Sequence, residues 1–412
     1  MSQPTVLISG AGIGGPALAH WLTRYGYRVI VVEVAPDLRL GGQTVDLRGA
    51  GRTVVERMGL MDRMRERCLY QRGIAWVTAE GRRRAEMPVG AFHGNGVVSE
   101  FEILRGDLVD VLYQATARHV EYRFGQRITS LEQHDDDVVA TLSDGSTIRA
   151  GLVVGADGPH SGVRRLVFGP EERYLRPLGG YHAWFTAPDT AGLDGWFLMY
   201  VAPGGLNASM RPSHEAAVAK AGLAFRSDPL DYDRSDRDAQ CDLLAQRFAG
   251  AGWQCDALVA AARKADDFHF DAFAQVHMDA WSAGRVTLVG DAGYCASPLS
   301  GMGTSLALVG AYVLAGELGQ ADGAGIGTER LRAALHRYHT VMRPYVDRCQ
   351  KIPNGIDGFV PKSAFDIRLN ALAMKYMQRW PFRPLAERLW FTTADAIDLP
   401  DYTASRPEAR RA

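Results

Sequence analysis

The chain opens on an apolar run, Thr5-Val6-Leu7-Ile8-Ser9, followed by a glycine-rich stretch from Gly10 to Gly15, a segment from Pro16 to Tyr25 with helical periodicity, and the β-branched run Arg28 to Val34. Short apolar runs bounded by glycine predict buried strands, and apolar residues returning at helical spacing predict a helix, so the order reads strand, helix, strand. Pro16 suits a first helical turn, where its missing N–H has no intrahelical partner, and Gly26 suits the helix stop. Two later blocks repeat the strand-then-glycine character: Gly151 to Gly155 running into Ala156-Asp157-Gly158, and Arg285 to Gly290 running into Asp291-Ala292-Gly293. Ligands collect where the carboxyl ends of parallel strands meet such turns. The three blocks together predict one nucleotide-binding domain, discontinuous in sequence.

Between the second and third blocks the pattern changes. Leu178 to Ala280 carries alternating or aromatic stretches such as Tyr181-His-Ala-Trp-Phe185 and Trp196-Phe-Leu-Met-Tyr200, which predict strands of a second, mixed β-sheet inserted as a substrate domain. Beyond Arg343 the pattern turns helical, and Ile367, Leu369, Leu372, Met374, Tyr376, Met377 and Trp380 form a stripe expected to pack across both domains. The charged tail 406–412 is expected to fray. The fold class is thus α/β: a Rossmann-type nucleotide-binding domain over 1–72, 98–177 and 281–345, a substrate-binding sheet over 73–97 and 178–280, and a C-terminal helical segment over 346–412.

Composition narrows the function classes. A 412-residue chain that is 47% hydrophobic and 23% charged belongs to the ordinary globular range, and a formal net charge of -1 supplies no long-range field toward nucleic acid or an anionic membrane. Small molecules are the expected partners of a monomer or homodimer. Met1-Ser2-Gln3-Pro4 has no basic region before the apolar run, so the opening does not read as a signal peptide and a cytoplasmic protein is expected. The five cysteines are scattered without a C-x-x-C pair, which predicts reduced structural thiols and no metal site. Ala292 to Gly316 holds no charged residue, but Pro298 and glycines 293, 301 and 303 interrupt it, leaving too short an apolar helix to cross a bilayer.

Gly10-Ala11-Gly12-Ile13-Gly14-Gly15 satisfies G-x-G-x-x-G, and Glu33 closes the next strand at roughly the expected distance of twenty-odd residues. Gly10 permits the tight turn, Gly12 lets the backbone approach a pyrophosphate, Gly15 lets helix and strand pack closely, and the helix N-terminus offers N–H groups and positive dipole to phosphate. An acidic Glu33 suits an unphosphorylated adenosine ribose. Gly323-Ala-Gly325-Ile-Gly327 has a similar composition but follows no strand and lacks the spacing.

With these residues in place a resemblance becomes specific. Gly155-Ala-Asp157-Gly158-Pro-His-Ser161-Gly-Val163-Arg164 resembles the GADG-x-x-S-x-V-R motif, and Gly290-Asp291-Ala292 with Pro298 and Gly301-Met-Gly303 resembles the GDA…P…G-x-G motif of class A flavoprotein monooxygenases, a family that includes para-hydroxybenzoate hydroxylase and the tetracycline-modifying monooxygenases. The resemblance implies FAD as cofactor. It implies that Asp291 bonds the ribityl chain, that the helix starting near Gly303 and Thr304 points at the flavin pyrimidine, that Asp157 supports the FAD turn and the use of NADPH, that Arg105 lies over the cofactor, and that Arg48 sits beside the isoalloxazine. Many relatives carry His after GDA and Asn two residues beyond G-x-G, whereas Tyr294 and Ser305 stand here; both keep a hydroxyl, so flavin binding is expected to survive. There is no second G-x-G-x-x-G, so NADPH or NADH has no Rossmann domain of its own, and the W-x-W-x-I-P halogenase signature is missing.

The chemistry the resemblance implies is hydroxylation of a small, aromatic or polycyclic molecule with NAD(P)H and O2, through a flavin C4a-hydroperoxide. That chemistry is largely the cofactor's, and no catalytic triad is visible. His182, His269 and His277 are candidate bases by type, and Trp184, Tyr200 and Pro298 join His182 as candidate substrate contacts. Two other readings stay open: a flavin reductase or dehydrogenase on the same scaffold, and a catalytically weak flavoprotein that sequesters a small molecule.

Overall fold

Six strands carry the three glycine-ended blocks, in the spatial order Ser282–Ala283, Val286–Leu288, Leu152–Gly155, Thr5–Ser9, Arg28–Glu33 and Glu121–Phe124. Val6 pairs with Leu152 on one side and Val29 on the other, Val153 pairs with Val286, and Ile30 with Glu121, all in parallel. The short Ser282–Ala283 strand runs antiparallel at the edge. This computed structural model describes residues 3–94, 98–320, 327–353, 355–376 and 393–402.

The central strands are apolar without alternation because they are covered on both faces, and Val6, Leu7, Ile8, Val153 and Val154 are fully buried. Helices Gly14–Arg24, Gly303–Gly319 and Thr328–Cys349 pack beside one another on the sheet, and the apolar residues of the antiparallel strands Ile128–Gln133, Val138–Leu142 and Thr147–Ala150 enter the same core. Gly303–Gly319 is buried nearly all round, which explains why Glu317 near its end is its one charged residue. No helix among the described residues is long and apolar enough to cross a membrane. Ala394 and Tyr402 return to this core, where the Tyr402 hydroxyl donates to Glu317 Oε1 at 2.8 Å.

The second sheet has seven strands, ordered His269–Val276, Leu175–Pro188, Val218–Arg226, Leu206–Pro212, Trp196–Ala202, Gly73–Val77 and Arg83–Pro88. It is mixed, as expected: Trp196–Ala202 pairs in parallel with Gly73–Val77, and every other neighbouring pair is antiparallel. Its period-2 alternation separates two faces. Tyr181, Ala183, Phe185, Leu198, Tyr200, Leu223, Phe225 and Phe270 turn to one side and pack with Leu244, Phe248 and Leu258 of helices Arg237–Phe248 and Cys255–Ala262. The other side is turned toward the loops of the first domain: Gln43 Nε2 donates to Ala221 O at 2.7 Å, Arg211 reaches Thr44 Oγ1 at 2.7 Å, and Leu299 packs with Ala224 and Phe273.

The C-terminal stripe is divided by the packing. In helix Ala364–Tyr376, Ile367, Asn370, Ala371 and Met374 face a cavity shared with Trp76 and Met199, whereas Phe365, Leu369, Leu372 and Tyr376 are exposed. The register that seats Ile367 on the sheet admits positions three, four and seven residues on, and Leu369, Leu372 and Tyr376 fall off that face. Met377, Trp380 and the tail 406–412 lie outside the described residues.

Candidate cofactor and substrate site

The first turn is shaped by two glycines that leave no room for a side chain, one in ordinary contact and one with open space. Gly10 has φ +108°, and a Cβ there would lie 2.4 Å from Ala156 O; a Cβ on Gly15 would lie 1.9 Å from Gly10 O. Gly14 tolerates ordinary contact, with Val289 at 3.4 Å, while a Cβ on Gly12 meets nothing within 4 Å. That open side is the cradle a pyrophosphate needs. Helix Gly14–Arg24 has no side-chain cap and no acidic residue in its first turn, so its N-terminal N–H groups are not taken by a local carboxylate. Buried Glu33 holds the turn: Oε2 accepts from Ala11 N at 2.8 Å, and Oε1 accepts from Ala35 N at 3.0 Å and from Arg39 at 3.3 Å. Oε2, with one donor, keeps capacity for a ribose hydroxyl.

The two acidic turns differ in what they hold. Asp157 accepts from Ser161 Oγ at 2.5 Å, from Val163 N at 3.1 Å and from Ser9 Oγ at 3.5 Å, and Ser161 caps Arg164 N at the start of helix Gly162–Phe168. Asp291 begins the short helix Asp291–Tyr294, and its Oδ1 lies 3.9 Å from where a Cβ on Gly303 would sit. Burial raises the pKa of both carboxyls; hydrogen bonds from Ser161 and Val163 pull Asp157 back, whereas at Asp291 the opposing hydrogen bond is from the Cys295 thiol. Helix Gly303–Gly319 also lacks a side-chain cap and first-turn acid, and Thr304 and Ser305 are buried at its start.

Arg48 and Arg105 are fixed rather than exposed. Arg48 pairs with Asp46 at 2.5 Å, and its carbonyl accepts from Ser305 Oγ at 3.4 Å, joining the start of helix Gly49–Met58 to the start of Gly303–Gly319. Arg105 donates to Gly41 O and, at 2.7 Å, to Arg39 O, which fastens the loop leading away from Glu33. The two family departures have separate fates. Ser305 serves the Arg48 contact, while Tyr294 is turned beneath the helix, its hydroxyl 2.8 Å from that of Tyr338 and pressed against Gly310.

On the cleft face of the second sheet, His182 makes tilted ring contacts with Trp184 at 4.1 Å and with Phe273 at 4.6 Å, and Trp184 lies over Gly222. Burial, reinforced by His269, lowers the His182 pKa to about 3, so the ring is neutral at physiological pH; its Nδ1 is buried without a hydrogen-bond partner among the described residues. His269 lies 6.4 Å from Trp184, at the edge of this group. The structure does not bring Tyr200, Pro298 or His277 into it. Tyr200 belongs to the opposite face, donating to Ala251 O at 2.6 Å; Pro298 is exposed at the start of the turn Pro298–Ser300; His277 is exposed and bonded to Gln275 at 2.9 Å. Sequence reasoning did not single out His160, Glu171, Asp271 or Arg211. His160 links Glu171, at 2.9 Å, to Asp271, at 2.8 Å, and so ties the Asp157 turn to the second sheet. Its sequence signal was faint, since it fills a variable position of a motif.

Residues 3–349 match the family model described as FAD binding domain. A flavin-dependent monooxygenase of Legionella longbeachae is 40% identical over 347 residues, covering 84% of this chain and 87% of that protein. An uncharacterized protein of Mycobacterium tuberculosis is 41% identical over 377 residues, covering 90% and 99%. The crystal structure of the tetracycline destructase Tet(55) is 35% identical with a TM-score of 0.81, covering 97% of this chain and 99% of that one. The open Gly12 cradle, the two uncapped helix starts and buried Asp291 are the donor and acceptor set that FAD requires. The chain belongs to the FAD-binding family of flavin-dependent monooxygenases.

Proposed function

We propose that the protein hydroxylates a flat aromatic or polycyclic small molecule, using NADPH or NADH and O2, with the substrate lying on the cleft face of the seven-stranded sheet. The observation that carries this reading is the ring group His182, Trp184 and Phe273 on the sheet face opposite helices Arg237–Phe248 and Cys255–Ala262, the face turned toward the loops of the first domain. Aromatic rings bind a flat π-system over a large area, and a neutral imidazole with a buried free nitrogen accepts a hydrogen bond from a hydroxyl of that substrate. The likeness to a tetracycline destructase supports the same substrate class.

FAD, when bound, supplies the two-electron chemistry and the activation of O2. Gly12, Gly14, Asp291, Thr304 and the N-termini of helices Gly14–Arg24 and Gly303–Gly319 would hold it. Glu33 would bind the ribose, while Arg48 and Arg105 would keep the loops closed around it. The protein's own part is orientation, exclusion of water and acceptance of a hydrogen bond from the substrate hydroxyl at His182 Nδ1.

The test is NAD(P)H oxidation by the purified flavoprotein over a panel of aromatic and polycyclic metabolites under ¹⁸O2. Substrate-stimulated turnover with one labelled oxygen in the product is expected. Turnover without label would replace this reading with a reductase or dehydrogenase, and tight binding without turnover with a sequestering protein.

A further inference from the structure

Helices Gly49–Met58 and Gly303–Gly319 start together and run side by side in the same direction. At their starts a Cβ on Gly51 would lie 2.7 Å from Ser305 Oγ, and further along Arg57 donates to the Tyr312 hydroxyl at 2.5 Å. Neither helix has a side-chain cap or an acid in its first turn, so two adjacent helix starts offer N–H groups and positive dipole.

Residues 393–402 lie along this pair from its starts toward its ends. The Ala394 carbonyl takes the space that a Cβ on Gly49 would need and accepts from Tyr345 Oη at 3.4 Å. Six residues on, the Pro400 carbonyl accepts from Arg57 and from the Tyr312 hydroxyl, each at 2.8 Å. The Tyr402 ring then takes the space of a Cβ on Gly316, and its hydroxyl donates to Glu317 Oε1 at 2.8 Å, while Glu317 Oε2 accepts from Arg337 at 2.6 Å. Ala394 and Tyr402 are buried. One segment thus keeps a glycine bare on each helix and is bonded by Arg57, Tyr312, Tyr345 and Glu317, which is more than a loosely laid chain end needs.

We propose that residues 393–402 are a positioning strap for the flavin, clamping the two helices in one register so that both starts meet the same edge of bound FAD. Tyr402 is its positioning residue, acting through Glu317 and the Gly316 seat without touching the cofactor. The field of a helix start falls off within one turn, so a small slide of one helix against the other is felt at a ring held there. The effect on the cofactor rests on the proposed seat of FAD at the start of Gly303–Gly319; the clamp itself rests on the contacts above.

The test uses the holoenzyme, with flavin release on dilution as one readout and the visible circular dichroism of the flavin at saturating FAD as the other. Tyr402→Ala should weaken FAD binding roughly tenfold and change the flavin spectrum at saturation. Tyr402→Phe keeps the ring, loses the bond to Glu317 and should cost about threefold. Leu142→Ala, a buried site in strand Val138–Leu142 away from the strap, should lower stability while leaving both flavin readouts at the wild-type level. Wild-type readouts in Tyr402→Ala, or equal shifts in Leu142→Ala, would overturn the strap and leave the cofactor seat standing. If Tyr402→Ala does not fold, Tyr402→Phe decides alone, and an unchanged affinity and spectrum there would overturn the strap. A wild type that takes up no FAD would overturn the cofactor seat and the strap with it.

Discussion

After Leu152–Gly155 the chain turns through Asp157, and after Val286–Leu288 it turns through Asp291; both acids follow a buried parallel strand and both are raised in pKa by burial, yet the donors around them differ. The Asp157 carboxylate is occupied by Ser161, Val163 N–H and Ser9, all of its own domain. Asp291 has the Cys295 thiol, a weak donor, and an open neighbour in Gly303. A buried carboxylate saturated by its own turn builds scaffold. One left short of donors is stable only when something else supplies them, the part we propose for the ribityl hydroxyls of FAD. Matching motif letters thus conceal unlike tasks.

The glycines of the first turn give the largest expected effects. Gly15→Ala forces a Cβ to within 1.9 Å of a backbone oxygen and should destabilise the domain by about 4 kcal/mol or more, yielding little folded protein on expression. Gly12→Ala meets no protein atom, so its urea midpoint should match the wild type while FAD affinity falls roughly tenfold or more as the methyl displaces the pyrophosphate. Equal stability losses at the two positions would show that Gly12 does not border the cofactor. The acids come next. Asp291→Ala should purify colourless, losing roughly 2 to 3 kcal/mol of FAD binding, or about 30- to 150-fold in a flavin titration, with little change in apo-protein stability. Asp157→Ala should reverse the pattern: about 2 to 3 kcal/mol less stable by urea unfolding, because it strands buried donors, but still yellow. A yellow Asp291→Ala and a colourless Asp157→Ala would invert the assignment.

The first domain was legible because its residues are dictated locally. Gly10, Gly15 and Pro16 answer backbone geometry, and a strand buried on both faces spells itself as an unbroken apolar run. The cleft was less so. Tyr181, Phe185, Tyr200, Phe225 and Phe270 share the aromatic character of Trp184 and Phe273, and alternation shows that they divide between faces, but which face the helices cover is decided by Leu244, Phe248 and Leu258, far along the chain. Tyr294 misled for a related reason: a hydroxyl at a motif position reads as a site group, and here Gly310 makes room for it in the core. Arg211 carries no motif at all, and only the approach of the second sheet to the first domain brings it to Thr44.

His160 extends the contrast between the turns to pH, with the smallest effect. Burial alone would lower its pKa, but the Asp271 and Glu171 carboxylates outweigh that and raise it to about 9, above the unfolded value near 6.5, with Arg234 also in contact. A group raised in this way contributes stability that is fully present below pH 6.5 and is lost as pH rises through 9. Glu171 and Asp271 are lowered despite their burial, chiefly by His160, so their share is present above the ordinary carboxylate range and lost as pH falls through their folded values. The wild type should therefore lose about 2 kcal/mol in urea unfolding between pH 6.5 and 10 from this group, after discounting for partial exposure of the ring. His160→Gln should flatten that slope. Because His160 ties the Asp157 turn to the second sheet and not to the Asp291 side, FAD content at pH 8 should stay at the wild-type level in the variant; a parallel loss of flavin and stability would mean that the Asp157 turn holds the cofactor as directly as Asp291 does.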